Sequence, residues 1–244
     1  ALNPRAVWLG VILLLAISAA GHVAIRTLGV RFGLPLAGLA GGFVSSTATI
    51  GAMSARAGKA PGLLSGAVAG AVLSTVATIV QLAVLLAALS PPTLRAMAAP
   101  LACAGLAAAA YGALFTLKAF RQPPDEEHAD PGQAFSLTSA LTFAGMLAVI
   151  LVVSAALSDR FGGAGAAVGA AAAGLVDAHA AAISMDARAA VLPILLGLTS
   201  NTLTKVVFAM SGGQRAFVWR VVPGLLLVAA AAWLGSLVQT ALGW

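Results

Sequence analysis

The chain reads as an all-α integral membrane protein, and three observations lead there. Of its 244 residues 61% are hydrophobic and 8% charged, where a soluble domain carries about 25% charged residues. Its mean hydropathy is +1.03. Apolar stretches near the length an α-helix needs to cross about 30 Å of hydrocarbon recur along the whole chain. The strict alternation of a membrane β-barrel is absent.

Eight segments are expected. The first covers about Trp8 to Leu28; Arg5 followed by Ala6 to Ala20 imitates a secretory signal, but equally apolar segments follow, so it is read as a membrane helix. The second, about Gly33 to Ala55, holds Ser45, Ser46, Thr47 and Thr49, and its glycines at 33, 38, 41, 42 and 51 allow a broken or re-entrant helix. The third spans about Pro61 to Leu89. Its Ser74, Thr78 and Gln81 fall on one helical face, a polar stripe that lipid cannot satisfy and that must look inward. Pro91-Pro92 stop that helix, and the fourth runs from about Met97 to Leu117.

Lys118 to Gln133 carries prolines and charges and reads as a solvated linker, although Asp125, Glu126, Glu127, His128 and Asp130 are oxygen and nitrogen donors for a loosely held divalent ion. The fifth segment covers about Leu137 to Leu157, and the sixth, about Gly163 to Ser184, carries Asp177 and His179. The seventh, about Ala190 to Met210, includes Ser200-Asn201-Thr202-Leu203-Thr204-Lys205, and the eighth runs from about Phe217 to Leu242. Trp8, Trp219 and Trp244 stand near segment ends, as interfacial anchors do.

A gapless shift of 132 residues lays Gly33–Ala57 over Gly165–Ala189, pairing Gly42 with Gly174, Val44 with Val176, Met53 with Met185 and Arg56 with Arg188. This argues for an internal duplication: residues 1–117 as one half, 118–135 as linker, 136–244 as the other. The centres differ. Ser45 faces Asp177 and Thr47 faces His179, so a site built from both halves would combine hydroxyls with ionisable groups.

The net charge of +6 does not indicate nucleic acid, because the basic residues stand singly at segment ends as topology and headgroup anchors. If all eight segments span, the twelve basic residues outside segment seven divide evenly between the two sides. If segments two and six enter and leave by one face, eight fall on the side of Arg26, Arg56 and Lys118 against four on the other. That second arrangement, with halves of opposite orientation, is the inverted-repeat plan of many transporters and is the one preferred.

Asp177 and Lys205 stand out, since a charge at bilayer depth costs about 2.5–3.5 kcal/mol on insertion scales and marks a pathway or a mutual salt bridge. Asn201 and Lys205 are four apart and share a helix face. The candidate ion site is therefore Ser45, Ser46, Thr47, Thr49, Asp177, His179, Asn201 and Lys205, with Asp177 as the candidate metal ligand. Asp177 favours a cation and Lys205 an anion. Lone Cys103 allows no intrachain disulfide. No nucleotide-binding or zinc-protease motif occurs, so an ATP-driven pump or a protease is not expected. An intramembrane hydrolase pairing Ser45 or Ser46 with His179 is the weakest expectation.

The stretches Gly42 to Thr49, Gly174 to Ala180, Asn201 to Lys205 and the opening Leu2 to Arg5 together resemble a bacterial membrane domain of unknown function that often follows an MgtC/SapB-type domain. The resemblance covers nearly the whole chain. It implies a multi-pass protein of the bacterial inner membrane, an N-terminal MgtC/SapB-like companion, which fits a chain that starts at Ala1 without methionine, and a link to magnesium or another divalent cation as substrate. It assigns no catalytic residue and no cofactor. The expectation is a transporter or channel for a small ion; the alternative is a non-transporting regulatory or scaffold module. Small-residue faces permit a homo-oligomer.

Overall fold

The computed structural model describes residues 33–59, 61–121, 190–210 and 214–241, with isolated helical positions at 12, 169, 171 and 174. Segments one, five and six and residues 122–135 of the linker lie outside the described residues, apart from those isolated positions, and so do Asp177 and His179; Lys118 to Phe120, read as the start of the linker, are helical. The described elements are all helical: α1 (Gly33–Lys59), a 3-10 turn (Pro61–Leu63), α2 (Leu64–Leu89), α3 (Pro91–Ala96), α4 (Ala98–Phe120), α5 (Val191–Met210) and α6 (Arg215–Ala241). Five of them are long and apolar enough to cross a membrane by length and composition.

The surface is inverted relative to a soluble protein. Ser54, Ser74, Thr75, Thr78, Gln81, Asn201, Lys205 and Gln239 are buried, while Leu106, Leu203, Val207, Leu234 and Leu237 are exposed. In water this arrangement would be unfavourable; in hydrocarbon it puts apolar side chains on lipid and satisfies polar ones inside.

Length qualifies α1 as a span, but its geometry does not. Ser45 has φ −164° and ψ 108°, extended backbone inside a 27-residue helix. Beyond the break the chain turns back. A Cβ on Gly41 would lie 2.8 Å from Thr49 Oγ1, although eight residues of straight helix separate their levels by about 12 Å. Gly70 of α2 touches Leu34 from one side of the break and Met53 from the other. Residues 33–44 run parallel to α2, Leu34 lying at Gly66, Gly38 at Gly70 and Gly42 at Ser74, and residues 46–59 return antiparallel. The legs are about 18 and 21 Å long at 1.5 Å per residue, too short to cross alone. The described part of segment two is thus a helix broken into a hairpin, not one straight rod.

Glycine makes the close approach possible. A Cβ on Gly38 would overlap the Gly70 backbone, and one on Gly42 would come within 2.5 Å of Ser74 O and 2.6 Å of its Cα. Gly174, one of the isolated described positions and the partner of Gly42 at the 132-residue shift, is likewise against the Gly197 backbone of α5.

Helix directions follow from two apolar clusters. One joins Leu82, Leu85 and Leu86 at the end of α2 to Met97, Leu101, Ala190, Ile194 and Ala232. The other joins Met53, Ala57, Leu64 and Val68 to Phe115, Ala209, Phe217 and Val221. Both legs of α1, the start of α2, the ends of α4 and α5 and the start of α6 therefore meet at one face, called here the hairpin face. Arg56, Lys118, Arg121, Arg215 and Arg220 lie at that end, and of the described basic side chains only Arg95, beside Gln239, lies at the other. The basic residues are scattered in sequence yet gathered in space, on the side where the preferred re-entrant arrangement put the majority.

Three contacts lock α6 in place. Pro223 removes a donor from the helix interior, and Tyr111 Oη donates 2.6 Å to the neighbouring carbonyl of Arg220. Buried Gln239 accepts from Ala99 N at 3.0 Å and donates to Arg95 O at 2.7 Å, serving both the otherwise unpaired start of α4 and the end of α3. Trp233 Nε1 donates to Thr199 Oγ1 of α5 at 3.0 Å.

Gly42→Ala is expected to destabilise the protein by about 1–3 kcal/mol through forced separation of the hairpin from α2. Gly105→Ala, whose Cβ would meet only Ile79 Cγ2 at 3.6 Å, should stay within about 1 kcal/mol of the parent. Thermal unfolding of both variants in detergent checks the pair.

Candidate site at the hairpin tip

A helix broken at bilayer depth leaves backbone groups without partners, and the described residues supply them locally. Ser45 caps the returning leg: its extended backbone is the conformation of an N-cap, and its Oγ accepts from Ala48 N at 3.3 Å. On the other side of the break, Gln81 Nε2 donates to Phe43 O at 3.0 Å. Ser74 Oγ is 2.7 Å from Ala71 O, the shorter of its contacts, and 3.5 Å from Ser46 O. The inward stripe anticipated on segment three is therefore real, and it exists to receive the hairpin tip.

The tip lies level with Ser74–Gln81, the middle of α2, and the two apolar clusters lie on either side of this level. Asn201 and Lys205 enter the same layer from α5, 4% and 2% exposed. Lys205 Nζ donates to Thr78 Oγ1 at 3.2 Å; Thr78 is one of its partners. One turn before Thr78, Thr75 Oγ1 is buried without a hydrogen-bond partner, an oxygen with spare bonding capacity.

The four hydroxyls of the tip are not equally enclosed. Ser46, Thr47 and Thr49 are half-buried and Ser45 is exposed. Non-helical backbone at membrane depth is tolerated only when buried in protein or lining a water-filled cavity, so an exposed Ser45 at mid-depth calls for one of these. The structure thus brings Ser45, Ser46, Asn201 and Lys205 into one layer, with Thr47 and Thr49 on the returning leg. Asp177 and His179 are outside the described residues. All seven acidic residues of the chain are too, so the described part of the layer is electropositive. Among the described residues no cluster of three His, Cys, Asp or Glu occurs.

Sequence reasoning missed Gln81 and Thr78 as partners of the site rather than as a generic stripe. A signal was present: Gln81 is the sole amide in a 26-residue apolar helix.

Replacing Gln81 by Leu keeps the volume and orphans Phe43 O, so a loss of about 1–3 kcal/mol is expected. Thr240→Ala, which removes an exposed bond to Ser236 O, should change stability by less than about 0.5 kcal/mol. Unfolding in mixed detergent micelles measures both.

No curated protein and no solved structure matches the chain significantly. Residues 12–213, well over half of the chain, match the family model described as a domain of unknown function, DUF4010, and the chain belongs to that family.

Proposed function

We propose that this protein is a transporter or channel for a small ion, with its site at the hairpin tip between two inverted repeats. The carrying observation is the broken helix whose tip stops at mid-depth beside a buried lysine, with Ser45 exposed there. Discontinuous helices of this kind present a carbonyl end and an amide end to an ion at the midplane. Chain direction adds support. α4 ends and α6 begins at the hairpin face, and α5 starts at the other and runs towards it, the directions that the inverted-repeat plan calls for in these helices. Position 177 would then be the second tip: the register that caps a leg with Ser45 puts aspartate, an equally good N-cap, at the paired position.

Asp177 is assigned as charged ligand or proton carrier, His179 as a titratable partner, and Asn201 and Lys205 as orienting groups; a divalent cation such as magnesium is the substrate that the carboxylate favours. The hairpin face, rich in arginine and lysine, is assigned to the cytoplasm of a bacterial inner membrane. No catalytic chemistry is assigned, since Ser45 Oγ serves the backbone as a cap. The second reading is a regulatory or scaffold module for an MgtC/SapB-like companion. The hydrogen bond of Lys205 to Thr78 favours it, because a buried charge can serve only to join helices.

The test uses the full chain in proteoliposomes, with magnesium, monovalent cations and simple anions screened for flux. Asp177→Asn keeps a capping side chain and removes the charge. Loss of flux of one ion in that variant, with unfolding midpoint unchanged, supports the transport reading. No flux in the parent, with Asp177→Asn merely less stable, supports the module. In a Cys103→Ala background, Ser45→Cys is expected to react with a membrane-impermeant thiol reagent, and protection of that cysteine from the reagent on both sides would contradict an aqueous tip.

A further inference from the structure

The hairpin face carries a second feature that the ion site does not use. Lys118 and Arg121 at the end of α4 and Arg220 of α6 line one cavity of about 530 Å³ with Ser65 and Phe115, a size within the range of small-molecule sites. Phe115 is 7% exposed and Ser65 5%, forming the floor; the three cations are exposed at the rim. Lys118 Nζ stands 4.8 Å above the Phe115 ring, which holds the ammonium over the floor. The cavity lies where helices of spanning length end, at the level of lipid headgroups.

Helix electrostatics accounts for only part of this grouping. Lys118 and Arg121 complement the negative end of α4. Arg220 comes from the second turn after the start of α6, where no helix dipole favours a cation, and it converges on the other two against their repulsion. No carboxylate occurs among the described residues to offset it. An anion with several oxygens offsets the repulsion and matches the guanidinium fork.

We propose that this cavity binds an anionic phosphate group, with Arg121 and Arg220 gripping its oxygens, Lys118 supplying a third charge and Phe115 supporting the carbon atoms attached to it. The chemistry is shared by an acidic phospholipid headgroup and a soluble phosphate ester. Position at the headgroup level favours the lipid.

The experiment uses the delipidated full chain in neutral detergent. Probes are short-chain phosphatidylglycerol, short-chain phosphatidylcholine, glycerol 3-phosphate and inorganic phosphate, with Kd read by native mass spectrometry and thermal shift. Phosphatidylglycerol is expected to bind the parent, and each of Lys118→Gln, Arg121→Gln and Arg220→Gln to weaken it about fivefold, at roughly 1 kcal/mol per surface cation. Arg215→Gln, on the same face but lining a different cavity with Met210, Val218 and Trp219, should leave Kd within about twofold, because screening weakens distant charges. Circular dichroism and monodispersity verify folding; the backbone bond of Arg220 to Tyr111 survives Arg220→Gln. Binding of phosphatidylglycerol alone identifies the lipid, and equal binding of glycerol 3-phosphate identifies a soluble ester. Equal losses from Arg215→Gln, or equal binding of phosphatidylcholine, overturn the site as diffuse surface charge. Binding that emerges only after neutralising Asp125, Glu126, Glu127 and Asp130 overturns it in favour of the chain's own acidic run as occupant.

Discussion

Inside a bilayer no water is available to a backbone amide or carbonyl, and that constraint organises this molecule. Once α1 breaks at Ser45, the carbonyls before the break and the amides after it need partners at mid-depth. The amides are served by Ser45 itself, acting as a cap. The Phe43 carbonyl is reached by the Gln81 amide, which requires α2 to lie against the tip. That contact in turn requires Gly38, Gly42 and Gly70, because a Cβ at any of them would meet backbone or Met53. One break therefore accounts for a glycine-lined seam, an amide in an apolar helix and the orientation of the polar stripe.

Placing the tip between two apolar clusters divides the bundle into layers. Each cluster seals one end with packed apolar side chains, and the polar groups between them must satisfy one another or a visiting ion. Lys205 is the costliest member, since a buried ammonium must have its three donors met inside the protein, and Thr78 is among its partners. The same layering leaves the charged ends of the helices outside the seals. There the basic residues collect on the hairpin face, because the re-entrant legs return Arg56 to the side from which Gly33 started.

Much of this could be read from residues alone, for reasons tied to period and length. Ser74, Thr78 and Gln81 recur at helical spacing, so their common burial was foreseeable, and α2 ends before Pro91 as expected, although the short helix that Pro91 opens was not foreseen. Glycine content suggested a break in segment two but could not locate it. A hairpin of two short legs and a single 27-residue span have the same apolar length, and only the contact of Gly41 with Thr49 separates them. The preferred re-entrant plan already put Lys118 and Arg220 on one side, but that they line one cavity was hidden, because it depends on which helices are neighbours. Gln239, Tyr111 and Trp233 were passed over because each bonds atoms between 34 and 144 residues away, a relation that no local pattern carries.

The break also sets the electrostatic problem that any cargo must solve. The first leg ends at the tip with its negative pole and the second begins there with its positive pole, each equivalent to roughly half a charge. Gln81 and Ser45 attenuate both poles, so the tip alone has little preference of sign. Lys205 tips the described layer positive, and the balance then rests on whatever carboxylate joins it. Asp177 is the residue that the 132-residue shift sets opposite the capping serine. On the proposed duplication the two halves would be electrostatically unlike, a hydroxyl in one standing opposite a carboxylate in the other. An ion drawn to the carboxylate would have to displace the lysine, whereas an anion would share it, and the neutral Asp177→Asn variant separates these two cases: flux of a cation that needs the carboxylate is lost, and flux of an anion held by the lysine is kept.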